Sequence, residues 1–149
     1  MKKLLFLLAI AGLLFACSKD DDDITPFGQW TQERLANNPQ FNNAESIVSV
    51  GKIIMELNEK DSCRYFVRNS DGGIVPFDNS LCLITNESIT VKGGRFSPYT
   101  NYYAEEGAVI YIHELTSQKM VLRWTTKEVF IPYGHLPQGT YYTEFKRIR

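Results

Sequence analysis

The chain predicts an all-β fold, an up-and-down antiparallel β-barrel of about 8 to 10 strands, with a β-sandwich as the alternative. Three observations carry that prediction. After residue 24 the apolar residues recur mostly with period two, the spacing of a half-buried strand. Clusters of Gly, Asn and Asp cut these runs at short intervals, so each strand turns directly into its successor. No helical stripe lasts three turns. The one stretch that could carry such a helix, Leu35 to Val48, is broken by Asn37-Asn38-Pro39.

In chain order, Met1-Lys2-Lys3 is a positive start and Leu4 to Phe15 an apolar run broken only by small Ala and Gly. That run is too short for a permanent membrane-spanning helix, which needs about 20 apolar residues. Residues 1–16 therefore read as a signal peptide. Leu14-Phe15-Ala16-Cys17 resembles the bacterial lipobox, and the resemblance implies that Cys17 is the lipid attachment site and the first residue of the mature protein. Residues 17–23 are the lipidated cysteine and a tether, because the carboxylates of Asp20 to Asp23 repel one another and cannot pack. Ser18 stands where the inner-membrane retention signal of enterobacterial lipoproteins has aspartate. Lys19 with the four aspartates is similar to the acidic export signal of Bacteroidetes surface lipoproteins. The implied location is the outer membrane, lipid-anchored, at the cell surface.

Residues 24–149 make one domain. Setting aside Lys2, Lys3, Lys19 and Asp20 to Asp23 leaves thirteen basic and thirteen acidic residues, so the body is neutral. Without a basic stripe, nucleic acid is not an expected partner.

Gly28 to Leu35, opening on Trp30, reads as the first strand, and Asn37 to Asn43 as a polar loop. Ile47 to Leu57 is β-branched and alternates in its second half, with Ile53, Met55 and Leu57 on one side. Asn58-Glu59-Lys60-Asp61 turns the chain. Cys63, Tyr65 and Val67 then alternate with Arg64, Phe66 and Arg68, and Ser70-Asp71-Gly72-Gly73 is a strong turn. Further strands are expected at Leu81 to Thr85, Ile89 to Lys92, Asn101 to Glu105, Ala108 to Leu115, Met120 to Thr125 and Tyr141 to Arg147. Parity places Met55, Tyr65, Val67, Ile110, Ile112, Leu122, Trp124 and Phe145 on one inward set. Of these, Met55, Tyr65, Val67, Ile112, Leu122 and Trp124 are the candidate ligand-lining residues if the barrel is hollow.

Cys63 and Cys82 form an even pair in an exported chain and are a candidate disulfide. A hairpin centred between Gly72 and Gly73 sets them opposite each other, although Pro76 cannot donate to such a ladder. His113 and His135 each lack a second ligand at metal spacing, so no metal or other cofactor is expected. There is no Gly-x-Ser-x-Gly elbow, and Gly93-Gly94-Arg95 lacks the helix that a phosphate loop requires. Glu105-Glu106 reads as a turn before Gly107, not as a catalytic dyad. The chain does not read as an enzyme.

Gly28-Gln29-Trp30 on the first strand is similar to the Gly-x-Trp element of lipocalins and related calycin barrels. Tyr111 to Leu122 resembles the late hairpin of Bacteroidetes lipocalin-like lipoproteins. This resemblance implies a closed lipocalin-like barrel that binds a small apolar or amphipathic ligand. It also implies a barrel-floor pair, in which an arginine of the last strand covers the tryptophan of the first. Parity from an inward Phe145 makes that arginine Arg147, stacked on Trp30. The alternative function is a surface module with a filled core. It would contact protein or glycan through the aromatic loops Arg95-Phe96-Ser97-Pro98-Tyr99 and Ile131-Pro132-Tyr133-Gly134-His135.

Overall fold

A computed structural model describes residues 24–42, 44–46, 53–99, 102–126, 129–131 and 134–148. The described strands are β1 (Gly28–Ala36), β2 (Glu45–Ser46), β3 (Ile53–Asn58), β4 (Ser62–Arg68), β5 (Ile74–Ile84), β6 (Ser88–Gly94), β7 (Phe96–Tyr99), β8 (Tyr102–Ala104), β9 (Val109–Leu115), β10 (Lys119–Thr126), β11 (Val129–Ile131), β12 (Gly134–Leu136) and β13 (Gly139–Arg147). Eight of them form the barrel wall in the order β1-β3-β4-β5-β6-β9-β10-β13, and β13 pairs back onto β1 to close it. Every wall pairing is antiparallel. The barrel is therefore up-and-down, and closure leaves no sheet edge around the ring.

The two ends differ. At one end the connections are short: Glu59 to Asp61 between β3 and β4, Thr85 to Glu87 between β5 and β6, and Thr116 to Gln118 between β9 and β10. At the other lie the tight β4–β5 turn and three longer excursions, which carry β2, the β7–β8 hairpin and the β11–β12 hairpin. The first end is the floor and the second the mouth.

One core fills the barrel, with Trp30, Leu57, Met55, Tyr65, Phe96, Met120, Leu122, Trp124 and Phe145 among its buried members. A smaller cluster lies outside the wall, where Phe41 covers Val121 and Ala36. Bulges decide which residues reach each cluster. In β1 the register to β13 shifts between Gln32 and Arg34, so Trp30 and Gln32 are buried on one side of it and Leu35 rejoins the core after it. The extra residue reverses the parity, which an unbroken strand would have kept.

Several strand bounds differ from the sequence expectation. β5 starts at Ile74, not Leu81, and accommodates Pro76 beside a bulge between its partners Tyr65 and Phe66. That is where a strand tolerates a residue with no N–H to give. β7 and β12 lie where the sequence reads as loop, and β11 overlaps the second of those loops only at Ile131. Of the Ile47–Leu57 strand, only the part from Ile53 lies within the described residues. Gly94 has φ +79°, and a Cβ there would lie 2.6 Å from the Asn79 carbonyl oxygen, so β6 can end against β5 only through glycine.

The cysteine pairing is also corrected. The β4–β5 turn is held by Asn69 and Gly73, with the Gly72 N–H bonded to the Asn69 carbonyl, so its centre lies nearer Asp71 than the Gly72–Gly73 bond. The register then sets Cys63 opposite Ser80, with Cys82 two residues further along β5. Both thiols are free and buried.

Candidate ligand site at the barrel mouth

The floor is built from Gly28, Trp30 and Arg147. Trp30 and Arg147 are direct partners across β1 and β13, and the Arg147 guanidinium lies 4.3 Å from the indole centroid. The Trp30 indole N–H donates to the Pro26 carbonyl at 2.7 Å. Arg147 donates from Nη1 to the Phe27 carbonyl at 3.0 Å and from Nη2 to that of Thr25 at 2.5 Å. Its Nε is buried without a partner among the described residues, and burial lowers the guanidinium pKa from its ordinary value. These bonds draw the segment before β1 across the barrel end. Gly28 sits at φ +127°, and a Cβ there would come within 3.1 Å of Arg147 Nη1. The glycine of Gly-x-Trp thus has a physical task here: it keeps clear the space the guanidinium occupies.

The interior above the floor is packed. Met55, Tyr65, Leu122 and Trp124 are buried core members, and Ile112 packs against them half-buried. Val67 is only half-buried and sits one residue from the end of β4, at the mouth. Across from it on β5 stands Val75, 48% exposed, followed by Phe77 at 46%. The Phe77 ring lies 5.8 Å from that of Tyr65, so an apolar path runs from solvent to the buried phenol. On the opposite wall Trp124 stacks on Tyr141 at 5.2 Å and donates its indole N–H to the Thr143 hydroxyl.

The β7–β8 hairpin enters this mouth. The β6–β9 ladder covers only three residue pairs, and the chain between those strands folds back over the gap. Phe96 was expected on an exposed aromatic loop but is wholly buried in the barrel core, its ring edge-on to Tyr65 at 6.2 Å. Ser97 is buried beside it. Its backbone N–H donates to the Tyr65 hydroxyl at 2.8 Å, and that hydroxyl donates to the Ser97 carbonyl at 3.3 Å. Met55 Sδ lies 3.8 Å from the same oxygen. Burial raises the Tyr65 pKa well above its ordinary value, so the phenol stays protonated.

Polar groups unread in the sequence also line the core. Gln32, Ser80, Thr126 and Thr143 are buried, and the Cys82 thiol approaches the Ser80 hydroxyl at 3.6 Å. Burial pushes both cysteine thiols up from their ordinary pKa. Alternation would have placed Ser80 inward had the start of β5 been legible. No sequence signal marks Phe96 as an interior residue, since a hairpin's own pattern does not say which way it folds. Among the described residues no group of three His, Cys, Asp or Glu side chains could hold a metal ion. His113 is exposed on β9, its ring edge-on to Tyr142 at 5.2 Å. Cys17 lies outside the described residues, as do the side chains of Ile131 to His135.

Chemically, the arrangement offers an apolar and aromatic interior, one buried phenol and a side chain that fills the mouth from outside the wall. No protein-family model matches the chain, and no curated protein matches it.

Proposed function

We propose that this chain is an outer-membrane lipoprotein of the lipocalin-like kind, anchored through Cys17 and facing outward, whose barrel receives a small apolar or amphipathic ligand at its mouth. It is a binding protein and not an enzyme. The observation that carries the reading is the burial of Phe96. This side chain belongs to a hairpin outside the barrel wall, yet it occupies the interior beside Tyr65, whose ring also meets that of the half-exposed Phe77. The barrel holds a detachable aromatic group where a ligand would sit. The wall itself is complete without it.

The test is Phe96→Ala. Removing a buried phenyl costs about 3–5 kcal/mol and leaves an apolar hole if the neighbours do not collapse. Such dry cavities take benzene-sized molecules. Propylbenzene should bind the variant, quench or shift Trp124 emission and restore part of the lost stability. The wild type should bind at least about tenfold more weakly, because Phe96 must first leave. If propylbenzene binds neither protein while both retain their strand circular dichroism, the ligand reading is refuted.

A second reading has its own observation. Leu81, Leu83, Val109 and Tyr111 are between 43% and 63% exposed on the outer wall, and Thr90 joins Leu83 to Val109 in one cross-strand row. An apolar face of that kind fits a protein-contact module. It replaces the ligand reading if the interior proves closed.

A further inference from the structure

β5 outlasts one of its two neighbours. Its ladder with β4 continues to Ile74, whereas its ladder with β6 ends at Ser80 opposite Gly94. Residues 74–79 therefore stand above the closed ring at the mouth, and among the described residues no strand pairs with their second edge. The backbone groups on that edge follow from the ladder with β4. The Asn69 N–H bonds the Gly73 carbonyl, and antiparallel pairs alternate from there. The N–H and C=O of Ile74 and the C=O of Pro76 then point away from β4. Pro76 has no N–H to offer outward, which is how an edge strand accommodates proline. Further along, the Asn79 N–H is met by the carboxylate of the adjacent Asp78 at 2.8 Å, not by a neighbouring strand.

The side chains along this edge are apolar, and the strand behind it is basic. Ile74, Val75 and Phe77 are 53%, 48% and 46% exposed. On β4, Arg68 lies opposite Ile74 and Arg64 opposite Asn79, both exposed. Among the described residues the only ion pair either arginine makes is the 4.0 Å contact of Arg64 with Glu56. We infer that residues 74–79 are a docking site for an extended segment of another protein, which adds a strand to β5 and alternates apolar with acidic residues. Its backbone completes the open edge, its apolar side chains cover Val75 and Phe77, and its acids face the arginines. Such docking does not depend on what fills the barrel. A bilayer is a poor occupant, because hydrocarbon offers no partner to open N–H and C=O groups. A second copy is poor as well. Within residues 74–76 the edge turns out two carbonyls and a single N–H, so two such edges would set acceptors against acceptors.

The experiment selects displayed random peptides of about ten residues, long enough for one strand, on the purified native protein. Peptides alternating apolar and acidic residues should be enriched, and a synthetic peptide of the winning sequence is then measured by fluorescence anisotropy. Ile74→Lys should weaken it at least about tenfold, and so should methylating alternate nitrogens of the peptide backbone. Arg68→Glu should weaken the acidic peptide at least about threefold and favour a version with lysine in place of glutamate. Both side chains are exposed, so unchanged thermal unfolding confirms that these variants keep the fold. In the wild type, hydrogen exchange at the Ile74 amide should slow when the peptide binds. Three results overturn the docking site: no enrichment over the Ile74→Lys protein, winning peptides without the alternation, or binding indifferent to N-methylation. Two more reassign the edge and overturn it equally. A dimer in sedimentation that Ile74→Lys dissolves gives the edge to a second copy. Slowed Ile74 exchange in phosphatidylcholine vesicles without peptide gives it to lipid.

Discussion

Removing the Arg147 guanidinium should open the barrel floor, and its energetic effect can be worked from the contacts. The guanidinium stacks on Trp30 at 4.3 Å and bonds the carbonyls of Phe27 and Thr25. A partly desolvated cation–π contact contributes about 1–2 kcal/mol. Hydrogen bonds from a charged donor contribute about 1.5–3 kcal/mol each when fully buried. Arg147 is only partly buried, so water would reach the released carbonyls and about 1 kcal/mol per bond is the better figure. Arg147→Ala should therefore lose about 3 kcal/mol, or roughly 10 °C in Tm for a domain of this size. Arg147→Lys keeps the charge but loses the flat fork, and should lose about half as much. Urea unfolding followed by circular dichroism measures both. A cycle with Trp30→Phe should return about 1 kcal/mol of coupling between the two residues. Gly28→Ala supplies an independent check: its φ of +127° and the 3.1 Å approach to Nη1 should make it destabilising through the same contact. If Arg147→Ala and Arg147→Lys both stay within about 0.5 kcal/mol of wild type, the floor is not held by this arginine and the reasoning fails.

Alkali should destabilise the protein through its buried thiols. Burial raises the Cys63 pKa from an ordinary value of 9.0, so above about pH 9 the unfolded chain releases a proton that the folded chain keeps. Stability is full below that pH and falls by up to about 1.4 kcal/mol per pH unit above it. Cys63→Ser should flatten the fall between about pH 8 and 10.5, and a wild-type stability that is level across that range would contradict the assignment. At the other end of the chain, Cys17→Ser should abolish acylation and detergent partitioning of the full-length protein expressed in a bacterium. A mature wild-type N-terminus without fatty-acyl mass would remove the anchor from the proposal.

How much of the molecule was legible in its sequence can be judged residue by residue. The alternation of Cys63, Tyr65 and Val67 with Arg64, Phe66 and Arg68 is a local pattern, and it placed the right side of β4 inward without any partner in view. The last strand worked the same way: Thr143, Phe145 and Arg147 share a side because the period is two, and Trp30 lies across from Arg147. Turn chemistry at Asn58 to Asp61, Ser70 to Gly73 and Glu105 to Gly107 marked the chain reversals, since those residues tolerate the backbone angles required. Such features are written within a few residues of one another.

Tertiary structure decided what depends on residues far apart. The bulges after Gln32 and between Tyr65 and Phe66 reset parity, and a bulge exists only relative to the neighbouring strand. The register of β4 on β5 put Ser80 opposite Cys63 and moved Cys82 away from it, because a shift of the turn centre moves every pair along the ladder. Closure of β13 on β1 joins the two ends of the body and distinguishes a barrel from a sandwich, which strand count and turn spacing leave open. Most consequentially, Phe96 sits on a short Pro- and aromatic-rich segment whose local pattern fits an exposed loop equally well. Its place inside the barrel follows from the short β6–β9 ladder and from the buried Tyr65 hydroxyl, which needed a donor and an acceptor and found both on the Ser97 backbone, in the two peptide groups that flank it. A buried polar group must be satisfied by whatever the fold brings near, and only the folded chain determines what that is.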